Sequence, residues 1–340
     1  MLKKAEISLQ FNWIYIIVVG SIILISGFAV VSNIKKTSIN ELILDLKLYL
    51  DTIINDIQLD KESEHTVMLP DIEIEFECNS FSIKDSEYSS ISLLDNILFS
   101  PNIIKRTLLG YSLHWNIPFT TEFFSYITSP NVKYAFLDSE HSRTLMDILP
   151  NNTNKELAAQ YKDYNEEKNY KVRYINFGNL PQDFSFGDFR YIDDGDVSIL
   201  KINIIENEDS FPDSIGKITY YKKEDNSLRN IGEINFLDKA TLMASIYSEI
   251  PEIYNCNLEK SFKKLNIMAT IKMDKLTEYS NNPHLSSCPY EQAIDNLNNM
   301  ILLTSNVKTD QNYVTQVYDL SKSIEKENKL LQRLSCPQIY

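Results

Sequence analysis

Glycine is scarce in this sequence, with 8 residues in a chain of 340. Loops that cradle a nucleotide phosphate need several glycines, because the backbone must approach the phosphate closely. The motifs GxGxxG, GxxxxGK[ST] and GxSxG do not occur either. The sequence therefore argues against a nucleotide-cradling loop and offers none of these catalytic motifs.

Basic residues are outnumbered, since 33 Lys and Arg stand against 47 Asp and Glu, giving a net charge of −14. Such a surface repels a phosphate backbone, so nucleic acid is not expected as a partner. The histidines lack the spacing of a metal site, and the many carboxylates form no constrained pair. No catalytic residue, metal ligand or cofactor is predicted, and a role as an enzyme is the less favoured one. The scattered histidines are His65, His114, His141 and His284.

One long apolar run is present near the start of the chain. Residues 11–31 read FNWIYIIVVGSIILISGFAVV and contain no charged side chain. About 20 apolar residues suffice for a helix to cross a bilayer, so the run predicts a single transmembrane helix. A buried core helix or a cleaved secretory signal is less favoured, because the run has no polar stripe and ends in SNIKK. Trp13 and Tyr15 lie near the N-terminal end of the run, where aromatic side chains are expected in the headgroup layer of the membrane.

The orientation of this helix is not set by charge, because Lys3 and Lys4 precede it while Lys35 and Lys36 follow it. The preceding residues read KAEISLQF from position 4 and resemble the class III signal of archaeal type IV pilin-like proteins. Taken as a whole, the chain also resembles a group of large archaeal membrane-anchored proteins that begin ISLEFNW or a close variant.

The resemblance implies that a prepilin peptidase cuts between Ala5 and Glu6 on the cytoplasmic side of the membrane. The N-terminus then lies inside, and everything after the helix lies outside the cell. The chain departs from the family pattern in carrying Glu6 where Gln is usual and Gln10 where the family has Glu. Since Gln10 cannot neutralise a neighbouring N-terminal amine, an uncut signal or an anchor that does not polymerise remains open.

A stem is predicted after the apolar run, over residues 35–62. Its apolar residues recur at spacings of three and four with charged and polar residues between them, the pattern of an amphipathic helix. The helix could continue the transmembrane helix as a stalk, through which the chain assembles with itself or with other envelope proteins. It could equally cover one face of its own domain. The stripe consists of Ile39, Leu42, Ile43, Leu46, Leu50, Ile53 and Ile57.

A head of mixed α/β type is predicted over residues 66–237, because short runs rich in Val, Ile, Tyr, Phe and Thr alternate with turn residues. A helical interruption is expected at residues 142–147 and 155–163. The order of elements favours one mixed sheet with helices on one face. The predicted strands are 72–78, 109–115, 119–127, 132–137, 170–177, 197–205, 215–222 and 232–236.

Residues 238–340 predict a C-terminal helical layer, which makes the fold class α+β. Asp238 is expected to cap a helix over residues 239–250, which Pro251 would end. Three more helices follow, carrying stripes within residues 258–279, 293–301 and 317–331, and the first of these stops at the Asn-Asn-Pro of residues 281–283.

Four cysteines lie beyond the apolar run, and an even number predicts two disulfides if that side of the membrane is oxidising. A four-cysteine zinc site and reduced core cysteines are the alternatives. Successive helix reversals favour pairing Cys288 with Cys336 and Cys78 with Cys256. A perpendicular helix crossing would instead bring Cys256 and Cys336 together.

Two polar segments could carry a ligand or a modification. The acidic run from Asp193 to Asp196 could hold calcium, although Asp-Gly between strands is first of all a hairpin turn. The sequon Asn151-Asn152-Thr153 makes Asn151 a candidate glycosylation site if it faces outward.

Two functions follow from these features. The first is a membrane-anchored, extracytoplasmic structural or interaction protein of the cell envelope with a pilin-like N-terminus. The second is a membrane-tethered enzyme or ligand-binding module whose site lies in the α/β part. A deep polar pocket with convergent titratable groups would favour the second.

Overall fold

The computed structural model describes residues 15–31, 44–45, 47–48, 50, 52, 64–84, 91–92, 96–159, 161, 171–180, 193–225 and 227–340. The chain divides into two compact units, residues 1–52 and 53–340. In the first unit, residues 15–31 form helix α1, and the described residues between 44 and 52 are helical. Within the part of the chain that the structure describes, no helix combines the length and apolar character needed to cross a bilayer. Residues 11–14, together with Ala5 and Glu6, lie outside the described residues.

The second unit contains two mixed six-stranded sheets and a set of helices, which confirms the α+β class. The prediction of a single sheet was wrong. The first sheet has the order β3-β2-β1-β5-β6-β4 and the second the order β12-β11-β10-β9-β7-β8. The strands are β1 Glu64–Phe76, β2 Ser80–Ile83, β3 Ile91–Ser92, β4 Leu98–Phe99, β5 Ile103–Asn116, β6 Thr120–Thr128, β7 Val132–Leu137, β8 Lys155–Ala158, β9 Lys171–Asn176, β10 Val197–Glu206, β11 Ile215–Glu224 and β12 Ser227–Phe236.

The second sheet is parallel at one side and antiparallel at the other. Strands β8, β7, β9 and β10 run parallel, whereas β11 and β12 form an antiparallel meander on β10. Helix α2, Glu140–Ile148, is the crossover from β7 to β8 and confirms the helix predicted at residues 142–147. The helix predicted at residues 155–163 was wrong at its start, because Lys155–Ala158 is strand β8. Pairing with the edge of β7 outweighs the local preference of those residues for a helix.

Helix α3, Lys239–Tyr247, is the centre of the core. All its residues from Ala240 to Tyr247 are buried, and it packs against β4, β5 and β6 of the first sheet and β12 of the second. Tyr126 of β6 donates its hydroxyl to the carbonyl of Ala240, and Tyr220 of β11 does the same to Ser245. Both sheets are therefore tied to one helix by buried tyrosine hydroxyls.

The cap predicted at Asp238 is confirmed, whereas the role predicted for Pro251 was wrong. The Asp238 carboxylate accepts the N–H of Thr241, and the Thr241 hydroxyl accepts the N–H of Asp238, which makes a capping box. Helix α3 ends at Tyr247 with Ser248 as its C-cap. Pro251 begins the next helix, because its fixed φ and missing N–H suit the first helical position.

The helical layer follows the prediction closely. Its first long helix stops before Asn281, as the Asn-Asn-Pro signal predicted, and the next two cover the predicted stripes. Asn257 on this first long helix brackets β4, since its side chain bonds both the N–H and the carbonyl of Leu98. The helices are α4 Pro251–Ser280, α5 Glu291–Thr304 and α6 Gln311–Arg333.

The cap of α3 makes a testable prediction about pH. Burial raises the pKa of Asp238 to about 6. The nearby carboxylate of Asp213 raises this pKa further, whereas the hydrogen bonds from Thr241 lower it. A carboxyl whose pKa is higher in the folded state stabilises the fold below its unfolded pKa and loses that effect as pH rises to about 6. Because Asp238 keeps partial solvent exposure, the loss amounts to about 1–2 kcal/mol.

Asp238→Asn keeps a good N-cap but does not titrate. Urea unfolding of the full chain in a mild detergent, between pH 4 and 7, is expected to show a flatter stability profile for the variant than for the wild type. Asp238→Ala serves as the control and should be about 1 kcal/mol less stable than Asp238→Asn at every pH, because neither residue titrates and only the cap is lost. Parallel profiles for wild type and Asp238→Asn would contradict the assignment.

Candidate functional site

Glu249 is the centre of a buried charged cluster. It lies in the link between α3 and α4, and the residue is 9% exposed. Its carboxylate accepts a hydrogen bond from Lys171 Nζ at 2.8 Å and another from the N–H of Asn102 at 3.0 Å. Lys222 Nζ lies 3.4 Å from the other carboxylate oxygen. Since Asn102 precedes β5 while the lysines belong to β9 and β11, one carboxylate ties the α3–α4 link to both sheets.

The register of the second sheet explains why cations converge on Glu249. Ser198 of β10 pairs with Arg173 of β9 on one side and with Lys222 of β11 on the other. Residues paired across strands point to the same face of a sheet, as do residues two apart on one strand. Lys171, which lies two residues before Arg173, therefore shares that face. Two residues of β9 and one of β11 therefore place three cationic side chains on the same face.

Arg173 is the most enclosed of these cations, with 3% of its surface exposed. Its guanidinium lies over the ring of Tyr220, 5.4 Å from the centroid, and Nη2 donates to the carbonyl of Glu249 at 3.4 Å. Its Nε has no hydrogen-bond partner among the described residues. A guanidinium stays protonated even when buried, so Arg173 contributes a fixed positive charge to the core.

The charges of the cluster depend on one another. Burial raises the pKa of Glu249, but Lys171, Lys222 and the N–H of Asn102 outweigh it and hold the pKa below its ordinary value. Burial raises the pKa of Asp196 above its ordinary value; Lys171, 3.7 Å away, opposes that shift, whereas the Glu249 carboxylate adds to it. Glu249 is consequently ionised at neutral pH and balances the cations around it.

The cluster encloses very little space. The cavity beside Lys171, Arg173, Asp196 and Glu249 has a volume of about 20 Å³, which is about the room that one water molecule needs. It also lies at the amino-terminal edge of the parallel strands, whereas open parallel sheets bind ligands at the carboxyl-terminal edge. The arrangement can hold two sheets and a helix link in register, and it leaves no room for an organic substrate.

The carboxyl-terminal edge of the parallel strands is the second place where a site could form. The chain leaves β7 toward β8 but leaves β9 toward β10, so the strand order reverses between β7 and β9. At this point the ring of His141 packs against Phe177 and Phe211, with centroid separations of 5.4 and 4.8 Å. His141 Nε2 lies 3.6 Å from Glu208. Phe177 and Phe211 also contact each other, so the three rings form one aromatic cluster at this edge.

Two wider depressions occur on the helical layer. One has a volume of about 370 Å³, and every residue that lines it belongs to α6. The other, of about 260 Å³, lies at the link between α5 and α6. A single helix cannot surround a ligand, so the larger depression is a surface groove and not a deep pocket.

The cysteines form the two predicted disulfides. Cys78 pairs with Cys256, with their Cα atoms 6.0 Å apart, and Cys288 pairs with Cys336, with their Cα atoms 5.9 Å apart. The first joins the turn after β1 to the second turn of α4, and the second joins the two ends of the α5–α6 hairpin. The reversal of successive helices therefore predicted the correct pairing.

Of the other residues that the sequence singled out, Asp196 belongs to the Glu249 cluster and Asn151 does not. The hairpin expected at Asp193–Asp196 was wrong, because residues 194–196 form a 3₁₀ turn before β10, which runs parallel to β9. Asp196 faces Lys171, and no group of three or more potential metal ligands occurs among the described residues. Asn151 is exposed in the turn between α2 and β8.

Sequence reasoning missed the Glu249 cluster. Lys171 and Arg173 lie in a strand where an inward face is expected to be apolar, and that alternation was the available signal. That alternation does not reveal which carboxylate pairs with these cations, because Glu249 lies in the α3–α4 link, far from Lys171 and Arg173 in sequence. Comparison of the chain with family models, with curated proteins and with solved structures found no match.

Proposed function

We propose that the chain is a membrane-anchored structural or interaction protein of the cell envelope, with a pilin-like N-terminus and a head outside the cytoplasm. The observation that carries this proposal is the surface of α1. Its large apolar side chains are exposed, up to 74% at Leu24 and 78% at Phe28. The exposed residues include 15–18 and 22–25, and each run exceeds one 3.6-residue turn. Apolar surface therefore faces outward on all sides of α1.

An apolar helix without a polar face needs an apolar environment, and lipid supplies one on every side. The uncharged run of the sequence continues from residue 15 back to residue 11, which would lengthen the apolar segment toward the thickness of a bilayer. The resemblance of residues 4–11 to a class III signal supports the same interpretation and favours a cut between Ala5 and Glu6.

The disulfides support an oxidising location for the head. Disulfides persist outside the cytoplasm and are rare within it. Both pairs join segments that are distant in sequence, and the described part of the chain contains no free cysteine. Two such disulfides would help the head to stay folded in the extracellular medium.

The alternative function, a tethered enzyme or ligand-binding module, would place its site at the carboxyl-terminal edge of the parallel strands. His141 lies there against Phe177 and Phe211, with Nε2 3.6 Å from Glu208. The cluster around Glu249 brings more charges together but encloses about 20 Å³. The described residues thus give the structural role the stronger support.

Membrane anchoring is tested by placing charge within α1. Val19→Arg combined with Ile23→Arg puts two guanidinium groups on one face of the helix, at a cost of about 3 kcal/mol each in a bilayer. The wild type should stay in the membrane pellet after a carbonate wash, and the double variant should be lost from it. Val19→Leu with Ile23→Leu is the matched control and should behave as the wild type. Wild-type protein in the aqueous fraction would refute the anchor.

A further inference from the structure

The turn between α2 and β8 presents an exposed asparagine that takes no part in the Glu249 cluster. Although asparagine is abundant in the chain, Asn151 is the one asparagine followed two positions later by Ser or Thr. The turn closes through a hydrogen bond from the N–H of Thr153 to the carbonyl of Pro150, 3.2 Å long. Asn151 lies at its corner and is exposed, and its side-chain amide forms no hydrogen bond with the described residues.

A carboxylate holds this turn in place from the start of the head. Glu64, the first residue of β1, accepts the N–H of Asn151 at 2.7 Å and that of Asn152 at 3.3 Å. Two backbone donors are thereby satisfied without using the exposed Asn151 side chain. A large group attached there would displace no contact of the turn.

We propose that Asn151 carries an N-linked glycan transferred from a lipid-linked oligosaccharide. This proposal rests on the extracytoplasmic location of the head. In the transfer, Asn151 Nδ2 forms a bond to the anomeric carbon of the sugar, and the bond from that carbon to the lipid phosphate oxygen breaks. The lipid phosphate leaves with the electron pair, and the amide proton passes to a base of the transferase. No oxidant or reductant takes part.

The burial of Thr153 indicates when the transfer takes place. A transferase that recognises the sequon must reach the hydroxyl group of Thr153. In the folded head Thr153 is 5% exposed, and its hydroxyl lies 3.2 Å from that of Tyr247, which is 1% exposed and belongs to α3. The hydroxyl is accessible only before α3 packs against the turn. Glycan transfer therefore precedes completion of the core.

The site is tested by intact-mass analysis of the full chain purified from its native cells. The wild type should carry one glycan mass, and Asn151→Gln and Thr153→Val should lose it completely. Thr153→Ser keeps both the sequon and the hydroxyl and should retain the glycan. Asp209→Thr creates a second sequon at the exposed Asn207 and serves as a positive control for exposure to the transferase.

The outcomes separate this site from the proposed function. An unmodified Asn151 in a chain that is glycosylated at Asn207 after Asp209→Thr overturns the Asn151 site and leaves the anchor and its orientation standing. Absence of glycan at both positions, on a head that external protease cannot reach, overturns both proposals. A glycan mass that survives Asn151→Gln also overturns the site.

The timing is tested with full chain made in a host without the transferase. Membranes that contain the transferase and its lipid-linked donor should modify the reduced, unfolded chain at least tenfold faster than the oxidised, folded chain. Equal rates for the two forms would overturn the order of events.

Discussion

The free energy of unfolding is expected to fall by about 3–5 kcal/mol at neutral pH when Glu249 is replaced by glutamine. The substitution keeps the size of the side chain but removes the charge that faces Lys171 and Lys222, while the carbonyl that accepts from Arg173 is unchanged. Three cations would then remain on one largely buried face with Asp196 as the nearby carboxylate. Because breaking a buried pair leaves an uncompensated charge, the effect should exceed that of any surface pair.

Urea unfolding of the full chain in detergent measures this effect, and Glu325→Gln on α6 is the matched control. Glu325 pairs with Lys322 and Lys329 at the surface, so its loss should cost less than about 1 kcal/mol. The pKa of Glu249 is lowered in the folded state, so its stabilisation is present above the unfolded pKa and is lost as pH falls. The deficit of the Glu249→Gln variant should therefore shrink in acid. A neutral-pH loss no larger than that of the control would show that the cluster does not hold the sheets together.

Removal of the disulfide between Cys78 and Cys256 is expected to have the other large effect. Its partners are 178 residues apart, and the chain-entropy model gives a stabilisation of about 5 kcal/mol for a loop of that length. Cys78→Ser with Cys256→Ser should lower the free energy of unfolding toward that value. The physical cause is the greater freedom of the unfolded chain once the link from β1 to α4 is gone.

The second disulfide supplies the comparison. Cys288 and Cys336 are 48 residues apart, so Cys288→Ser with Cys336→Ser should cost about 4 kcal/mol by the same reasoning. Both double variants should remain free of mixed disulfides on non-reducing gels, since each removes a whole pair. A Cys78→Ser, Cys256→Ser variant with wild-type stability would contradict the chain-entropy account of this link.

Local sequence patterns predicted the elements whose signals are local. Strand β7 has the predicted bounds of residues 132–137, and the N-cap at Asp238 and the end of α4 before Asn281 were found from single residues. The cysteine pairing followed from the number of helix reversals. The cap and the helix end depend on residues close in the chain, and the cysteine pairing follows from a simple alternation of direction.

Elements decided by distant contacts were missed. Strand β4 is two residues long and is held by β6 and by the side chain of Asn257, neither of which can be inferred from residues 98–99. Helix α3 packs between elements of the two sheets, and its residues from 240 to 247 are all buried. Because α3 has no polar face, its sequence does not show which strands pack against which side of it. Predicting the Glu249 cluster would require the register of β9, β10 and β11 and the position of the α3–α4 link.

Protease treatment of intact cells tests most directly whether the head lies outside the cytoplasm. Peptides from residues 64–340 should be released while a cytoplasmic marker protein stays intact, and the membrane-bound remainder should keep α1. Mass spectrometry of that remainder also reads its N-terminus, which begins at Glu6 if the pilin-like signal is cut. A head that resists protease until the cells are lysed would contradict the account.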